Sequence, residues 1–174
     1  MLETAEELAE LQLLLDSSHA GATRHLRSIV HGERTLTAED LAGLLTGMKV
    51  LSVATVTARG EPRISALDGH FLHATWTFST DGSSAKARHI ERRPAVSVAH
   101  VDGEDLAVFA HGRAERIGPG DDDFDETLDH WTAFYDSSPL GWGEDVRLYR
   151  LDPHWMVGYA ADRLEILSRR GVSP

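Results

Sequence analysis

Short β-rich runs follow one another closely through most of this chain, and few helical segments separate them. The runs occupy residues 50–57, 63–67, 75–79, 96–101, 106–117, 146–151 and 155–159. The turn-like residues 58–61 between the first two runs predict a β-hairpin. Six or seven strands at such short spacing predict a mostly antiparallel barrel with helices at its ends.

Helical patterns surround the strands. Leucines recur at helical spacing between residues 8 and 15, which predicts a helix over residues 4–16. Thr37 has the character of an N-cap, with Asp40 at the capping-box position. Three parts of the chain are predicted: residues 1–36 form an N-terminal helical extension, residues 37–167 the barrel domain, and residues 168–174 a flexible tail.

The third β-rich run ends in a segment suited to binding an anion. Thr80 and the loop after it supply hydroxyl and backbone N–H groups, and the helix predicted over residues 85–93 carries Lys86 and Arg88. Such N–H groups, together with fixed cations, can bind a phosphate. The alternative is structural: Thr80 and Ser84 would serve as turn and capping residues, and the cations as solvated charges.

Composition excludes several classes of function. The 174-residue chain has a net charge of −11, which disfavours general binding to nucleic acid or to an anionic membrane. It has no cysteine, so disulfides and zinc–thiolate sites are excluded. No apolar run approaches the roughly 20 residues of a membrane span, and the first residues do not resemble a secretory signal. We therefore expect a cytoplasmic protein.

Ten histidines raise the question of a metal or haem. His70 and His73 are three residues apart, but no carboxylate or cysteine cluster completes a set of metal ligands around them. No metal site is therefore expected, whereas haem binding stays open as an alternative.

Three segments carry a resemblance to a known family. Arg63–Ser65, Thr80–Arg88 and Pro153–Arg163 resemble, in this order, the FMN-binding split β-barrel family. This is the pyridoxamine 5′-phosphate oxidase-like group, which also contains F420-dependent reductases. The resemblance covers residues 37–165. It implies an N-terminal helix over the barrel, a C-terminal strand pair that includes Arg163 and Leu164, and a homodimer with two cofactor sites at the interface.

The resemblance also implies which residues contact the cofactor. Those expected along the flavin ring and ribityl chain are Arg63, Ile64, Ser65 and Ala66, and those expected at the phosphate are Ser79, Thr80, Ser84, Lys86 and Arg88. Trp142 lies between two glycines in a loop and is the aromatic residue expected to reach the ring.

Two departures from the family pattern bear on these expectations. The family's Ser-Arg-Lys triplet reads Ser84-Ala85-Lys86 here, so Arg88 is expected to supply the missing cation. The oxidase's Arg-x-His reads Arg163-Leu164-Glu165, so pyridoxamine phosphate is not the expected substrate.

The expected function is that of an FMN-dependent oxidoreductase that transfers a hydride to or from a small substrate. The cofactor would carry the chemistry, so no catalytic residue is assigned. Three alternatives remain open: an F420-dependent reductase of the same fold, a non-enzymatic flavin, F420 or haem carrier or sensor, and a dimeric barrel that has lost its ligand.

Overall fold

A closed antiparallel barrel of six strands forms the centre of the computed structural model, which describes residues 2–173. The strands are β1 (Lys49–Val56), β2 (Pro62–Leu72), β3 (Thr75–Asp81), β4 (Ala95–Asp102), β5 (Leu106–Ile117) and β6 (Val146–Ala160). Their order around the barrel is β1-β2-β3-β6-β5-β4. The predicted fold class, a mostly β antiparallel barrel with flanking helices, is confirmed.

Helices lie before, between and after the strands. They are α1 (Ala5–Ala20), α2 (Arg24–Ile29), α3 (Ala38–Leu44), α4 (Ala85–Arg92), α5 (Phe124–Tyr135) and α6 (Arg163–Arg170), with short 3-10 turns at Gly32–Arg34 and Pro139–Gly141. The predicted capping box begins α3: the Thr37 hydroxyl accepts from the Asp40 N–H at 3.2 Å, and the Asp40 carboxylate accepts from the Thr37 N–H at 2.8 Å. Within residues 2–173, no helix has both the length and the apolar character needed to cross a membrane.

Helix α1 packs onto the barrel. Leu11 and Leu15, two of the leucines that predict this helix, are buried in the same apolar cluster as the barrel interior. The Ser18 hydroxyl accepts a hydrogen bond of 3.0 Å from the Met156 N–H of β6. The N-terminal extension is therefore joined to the barrel by both apolar and polar contacts.

Strand β6 corrects the prediction of two separate strands at residues 146–151 and 155–159. His111 of β5 pairs with Trp155, but the next residue, Gly112, pairs with Pro153, so His154 is an extra residue on β6. A Cβ on Gly112 would lie 2.2 Å from the Asp152 carbonyl oxygen. Pro153 has no N–H to donate, but it lies at a β-bulge, where the ladder is already interrupted and where Gly112 allows the close approach. The strand therefore continues through Pro153.

Helix α6 corrects a second prediction. Arg163 and Leu164, expected in a C-terminal strand pair, begin this helix instead. Asp162 caps it by accepting from the Glu165 N–H at 3.0 Å. The helix runs to Arg170, three residues into the segment predicted as a flexible tail.

Strand β2 is longer than the predicted run and leaves β3 partway along its length. The two strands pair only from Gly69–Leu72 to Thr75–Phe78. Residues 62–68 of β2 pair with β1 alone, and residues 79–81 of β3 pair with β6. Among the residues that the structure describes, one edge of residues 62–68 therefore has no partner strand. We call the opening between residues 62–68 and 79–81 the fork; helix α4 begins beside it.

Candidate functional site

Hydroxyl and N–H groups meet where β3 ends and α4 begins. Thr80 Oγ1 lies 3.2 Å from Ser84 Oγ, which accepts from the Ala87 N–H at 3.1 Å and so caps α4. The preceding N–H groups, of Ala85 and Lys86, have no carbonyl partner within the helix. With the helix dipole, they make this end of α4 favourable for an anion.

The predicted cations lie around the fork. Lys86 is one helical turn before His89, whose Nδ1 lies 3.0 Å from the Thr55 hydroxyl of β1. Because residues three apart share a helix face, Lys86 lies on the side of α4 that faces β1. Arg63 pairs across the strands with Thr55 and binds Glu61 at 2.8 Å. Arg88 is exposed and donates to the Ser83 carbonyl.

Acidic side chains hold the loop between β3 and α4. Asp81 accepts from the Ser83 hydroxyl and from the Ser83 N–H at 2.7 Å, and these bonds lower the pKa of Asp81. Arg147 binds both Asp145 and Glu91, which links β6 to α4. An anion at the start of α4 is therefore best accommodated on the Lys86 side, away from these carboxylates.

Apolar side chains cover one face of the fork. Ile64 is 74% exposed, and Ala66, two residues on and on the same outward face of β2, is also exposed. Ser65 alternates with them toward the barrel, and Ser79 lies half-buried on β3. The fork thus combines an apolar surface, a strand edge with unpaired N–H and C=O groups, and an anion-binding helix end. A flat ligand with a polar rim and a phosphate would match this arrangement.

The predicted residues therefore lie in two places. Those of β2, β3 and α4 surround the fork, whereas Trp142 lies beside α5. The Trp142 indole N–H donates to Ser137 Oγ at 2.9 Å, and its ring centroid is 4.8 Å from that of Tyr135. Whether these residues bind a cofactor stays a prediction.

A row of four polar side chains, which we call the polar row, was not anticipated from the sequence. Asp68 is the last residue of the unpaired edge of β2, and the Tyr135 hydroxyl lies 3.3 Å from its Oδ2. His70 Nε2 lies 3.4 Å from that hydroxyl, and His130 Nε2 lies 3.2 Å from His70 Nδ1. Strand alternation predicts that Asp68 and His70 share a face, but no sequence pattern connects them with α5.

Burial affects the protonation of the polar row. The pKa of His70, which is fully buried, is lowered to about 4, first by burial and then by the charges of His130 and Lys49. Burial also lowers the pKa of His130. The pKa of Tyr135 is raised to about 12 by burial and by the negative charge of Asp68.

Several solved structures share this fold at low sequence identity. The haem storage protein HutZ of Vibrio cholerae is 19% identical, with a TM-score of 0.61, and the match covers 72% of this chain and 96% of that one. A FAD-binding protein of Mesorhizobium loti is 21% identical, with a TM-score of 0.54 over 74% and 98% of the two chains. An F420 reductase is 22% identical, with a TM-score of 0.52 over 65% and 92%.

One further match is to a longer protein, Atu2129 of Agrobacterium tumefaciens, whose function is unknown. The match covers 79% of this chain but only 58% of that protein, at 23% identity. No curated protein matches the chain in sequence. A family model, in contrast, matches residues 37–156, from the cap of α3 into β6. The chain therefore belongs to the family described as pyridoxamine 5′-phosphate oxidase.

Proposed function

We propose that the chain binds FMN at the fork and acts as a flavin-dependent oxidoreductase on a small substrate. The observation that carries this proposal is the unpaired edge of β2 beside the start of α4, where the Thr80 and Ser84 hydroxyls lie 3.2 Å apart and Lys86 follows in the first turn of the helix. Membership of the family and the likeness to a FAD-binding protein support a flavin as the ligand.

The residues around the fork fit the parts of FMN. Lys86, the first N–H groups of α4 and the Thr80 and Ser84 hydroxyls would hold the phosphate. Ile64 and Ala66 would cover a ring face, and backbone groups of the unpaired β2 edge would bond its polar rim. When bound, the flavin supplies hydride transfer, and the protein binds and orients it.

A second copy of the chain would complete this site. An exposed apolar face runs over β2, β1, β4 and β5, which are adjacent in the barrel. Its large side chains are Ile64 at 74%, Val50 at 56%, Val101 at 55% and Phe109 at 41% exposure. Apolar area of this kind is usually covered by a partner. Because Ile64 belongs to both this face and the fork, a homodimer would place the cofactor at its interface.

F420 is the alternative cofactor, because a reductase that uses it shares the fold and a phosphate-binding helix end serves either molecule. Haem is the second alternative, supported by the likeness to HutZ.

Titration of the purified protein with FMN, F420 and haemin separates the three. We expect flavin fluorescence to be quenched at one FMN per chain. If the protein binds only F420 or only haemin, that molecule and not FMN is its ligand.

Lys86→Ala tests the place of binding. Loss of the charge at the phosphate should weaken FMN binding at least about tenfold, or 1.4 kcal/mol. Arg92→Ala is the matched control, because Arg92 is exposed at the other end of the same helix. Equal FMN affinity of the wild type and Lys86→Ala would remove the start of α4 from the site.

Turnover separates an enzyme from a carrier. We expect NADH or NADPH to reduce the bound flavin, and a quinone to reoxidise it. Bound flavin that reacts with neither would indicate a carrier.

A further inference from the structure

The polar row has a single consistent order of hydrogen bonds when Asp68 is ionised. A carboxylate only accepts, so the Tyr135 hydroxyl must donate to Asp68. The Tyr135 oxygen can then accept from His70 Nε2–H. A neutral His70 has one N–H, so its Nδ1 is bare and accepts from His130 Nε2–H. Every donor in the row thus points toward Asp68.

The surroundings of His70 keep it neutral. Trp131, Phe134 and Tyr135 of α5 enclose its ring, with centroids 4.6, 4.8 and 5.7 Å away. The charged or titratable groups that act on it are His130 from α5 and Lys49 from β1. Both oppose a positive charge on His70, as burial does, so a neutral imidazole is maintained at neutral pH.

The two ends of the polar row reach the protein surface in different places. Asp68 is exposed and lies two residues beyond Ala66 on the outward face of β2, where the fork closes. His130 is half-buried on α5. The row therefore connects the edge of the proposed cofactor site with the outside of α5, through the fully buried His70.

We propose that the polar row is a proton relay that delivers a proton from solvent at His130 to a substrate held beside Asp68. This inference rests on the proposed function, in which reduced flavin gives the substrate a hydride. Asp68 passes the proton to the substrate, and Tyr135 and His70 carry the proton to Asp68.

The transfers balance. The Tyr135 O–H gives its proton to the Asp68 carboxylate, which passes it to the substrate's acceptor atom and is ionised again. Tyr135 takes the Nε2 proton of His70, which takes the Nε2 proton of His130 at its Nδ1, and His130 takes a proton from water. Each group of the row ends with as many protons as it had. One hydride and one proton have then reduced the substrate.

A proton relay would be needed at this position because the substrate would have no direct contact with bulk water. In the proposed homodimer, cofactor and partner cover the outward face of β2, and substrate beside Asp68 would be shielded from bulk water. A path along β2 beneath α5 supplies the proton without exposing the substrate to solvent.

The kinetic test uses the FMN-loaded protein, reduced and then mixed with menadione, a quinone that needs one hydride and one proton to become the hydroquinone. Tyr135→Phe keeps the ring but removes the hydroxyl. We expect it to slow flavin reoxidation about 100-fold, within the range of general acid catalysis, and to abolish the slowing that the wild type shows in D2O. Tyr159→Phe, on β6, is the control and should behave as the wild type.

The outcomes are distinguishable from those of the proposed function. If FMN binds Tyr135→Phe with wild-type affinity and reoxidation is unchanged, the relay is wrong while the cofactor site stands. If FMN does not bind the wild type at all, the proposed function fails, and with it the relay's role in catalysis.

A second measurement addresses the row itself without any cofactor. Nitrogen-15 NMR of the histidine side chains should find His70 neutral near pH 7, with its proton on Nε2. A proton on Nδ1, or on both nitrogens, would overturn the order of hydrogen bonds on which the relay depends.

Discussion

Asp40 illustrates how a single buried side chain joins distant parts of the chain. Its carboxylate is 2% exposed and accepts from Arg163 Nε at 2.6 Å and Nη2 at 2.9 Å. It also accepts from the Thr37 N–H and thereby caps α3. One residue thus ties the helix before the barrel to the helix after it.

Substitution of Asp40 should be costly for stability. Asp40→Ala leaves the Arg163 guanidinium without its partner and removes a cap, so the free energy of unfolding should fall by about 3 kcal/mol. Asp105→Ala is the matched control, since its ion pair with Arg169 has the similar length of 2.6 Å but is half-exposed on both sides. Solvent weakens such a pair, and a much smaller loss is expected. Urea denaturation followed by tryptophan fluorescence measures both; equal losses would contradict the argument.

At the scale of an element, the β5–β6 bulge depends on the absence of a side chain at Gly112. A Cβ there would meet only backbone, namely the Asp152 carbonyl oxygen at 2.2 Å and the Pro153 Cα at 2.8 Å. Backbone cannot turn aside as a flexible side chain can, so the two strands would have to separate.

Gly112→Ala should therefore destabilise the barrel by about 1–3 kcal/mol. Gly118→Ala, just beyond the end of β5, is the control, because its Cβ would have no heavy atom within 4 Å. Its effect should stay below about 0.5 kcal/mol. Chemical denaturation compares the two variants. If Gly112→Ala were as stable as Gly118→Ala, the close approach would not limit the pairing.

The elements differ in how well local sequence predicts them. The β-rich runs before residue 118 and the capping box of Thr37 depend on neighbouring residues, and the strands and the cap that they predict are confirmed. The passage of β6 through Pro153 depends on Gly112, 41 positions away, and α6 is tied to the protein through Asp40, 123 positions away. Tertiary contacts therefore decide the elements that the sequence pattern misses.

The same distinction holds for the candidate site. The resemblance draws attention to Lys86 and the segment from Arg63 to Ala66; the segment forms one side of the fork, and Lys86 lies in the first turn of the helix that begins beside it. The polar row joins β2 to α5, with Asp68 and Tyr135 separated by 67 positions. Only the packing of α5 against the barrel creates it, so no motif could have revealed it.

At the scale of the whole molecule, the apolar face over β2, β1, β4 and β5 is the surface through which we propose that two copies assemble. Val101→Glu would place a carboxylate within this face, and its burial in an interface carries a large desolvation cost. The proposed homodimer should therefore become a monomer. Leu13→Glu is the control, because Leu13 is 69% exposed on α1, outside this face. Light scattering after size-exclusion chromatography gives the mass; a dimer that persists in Val101→Glu would place the interface elsewhere.

The unpaired edge of β2 affects how the newly made chain behaves before any ligand is bound. An open strand edge can add a strand from any neighbouring chain, which is a common start of aggregation. Arg63 and Glu61 put charges at one end of this edge, as gatekeeper residues do, but Ile64 beside them leaves an exposed apolar side chain. In the proposed complex FMN would cover this edge, so the newly made chain should aggregate less when FMN is present during synthesis.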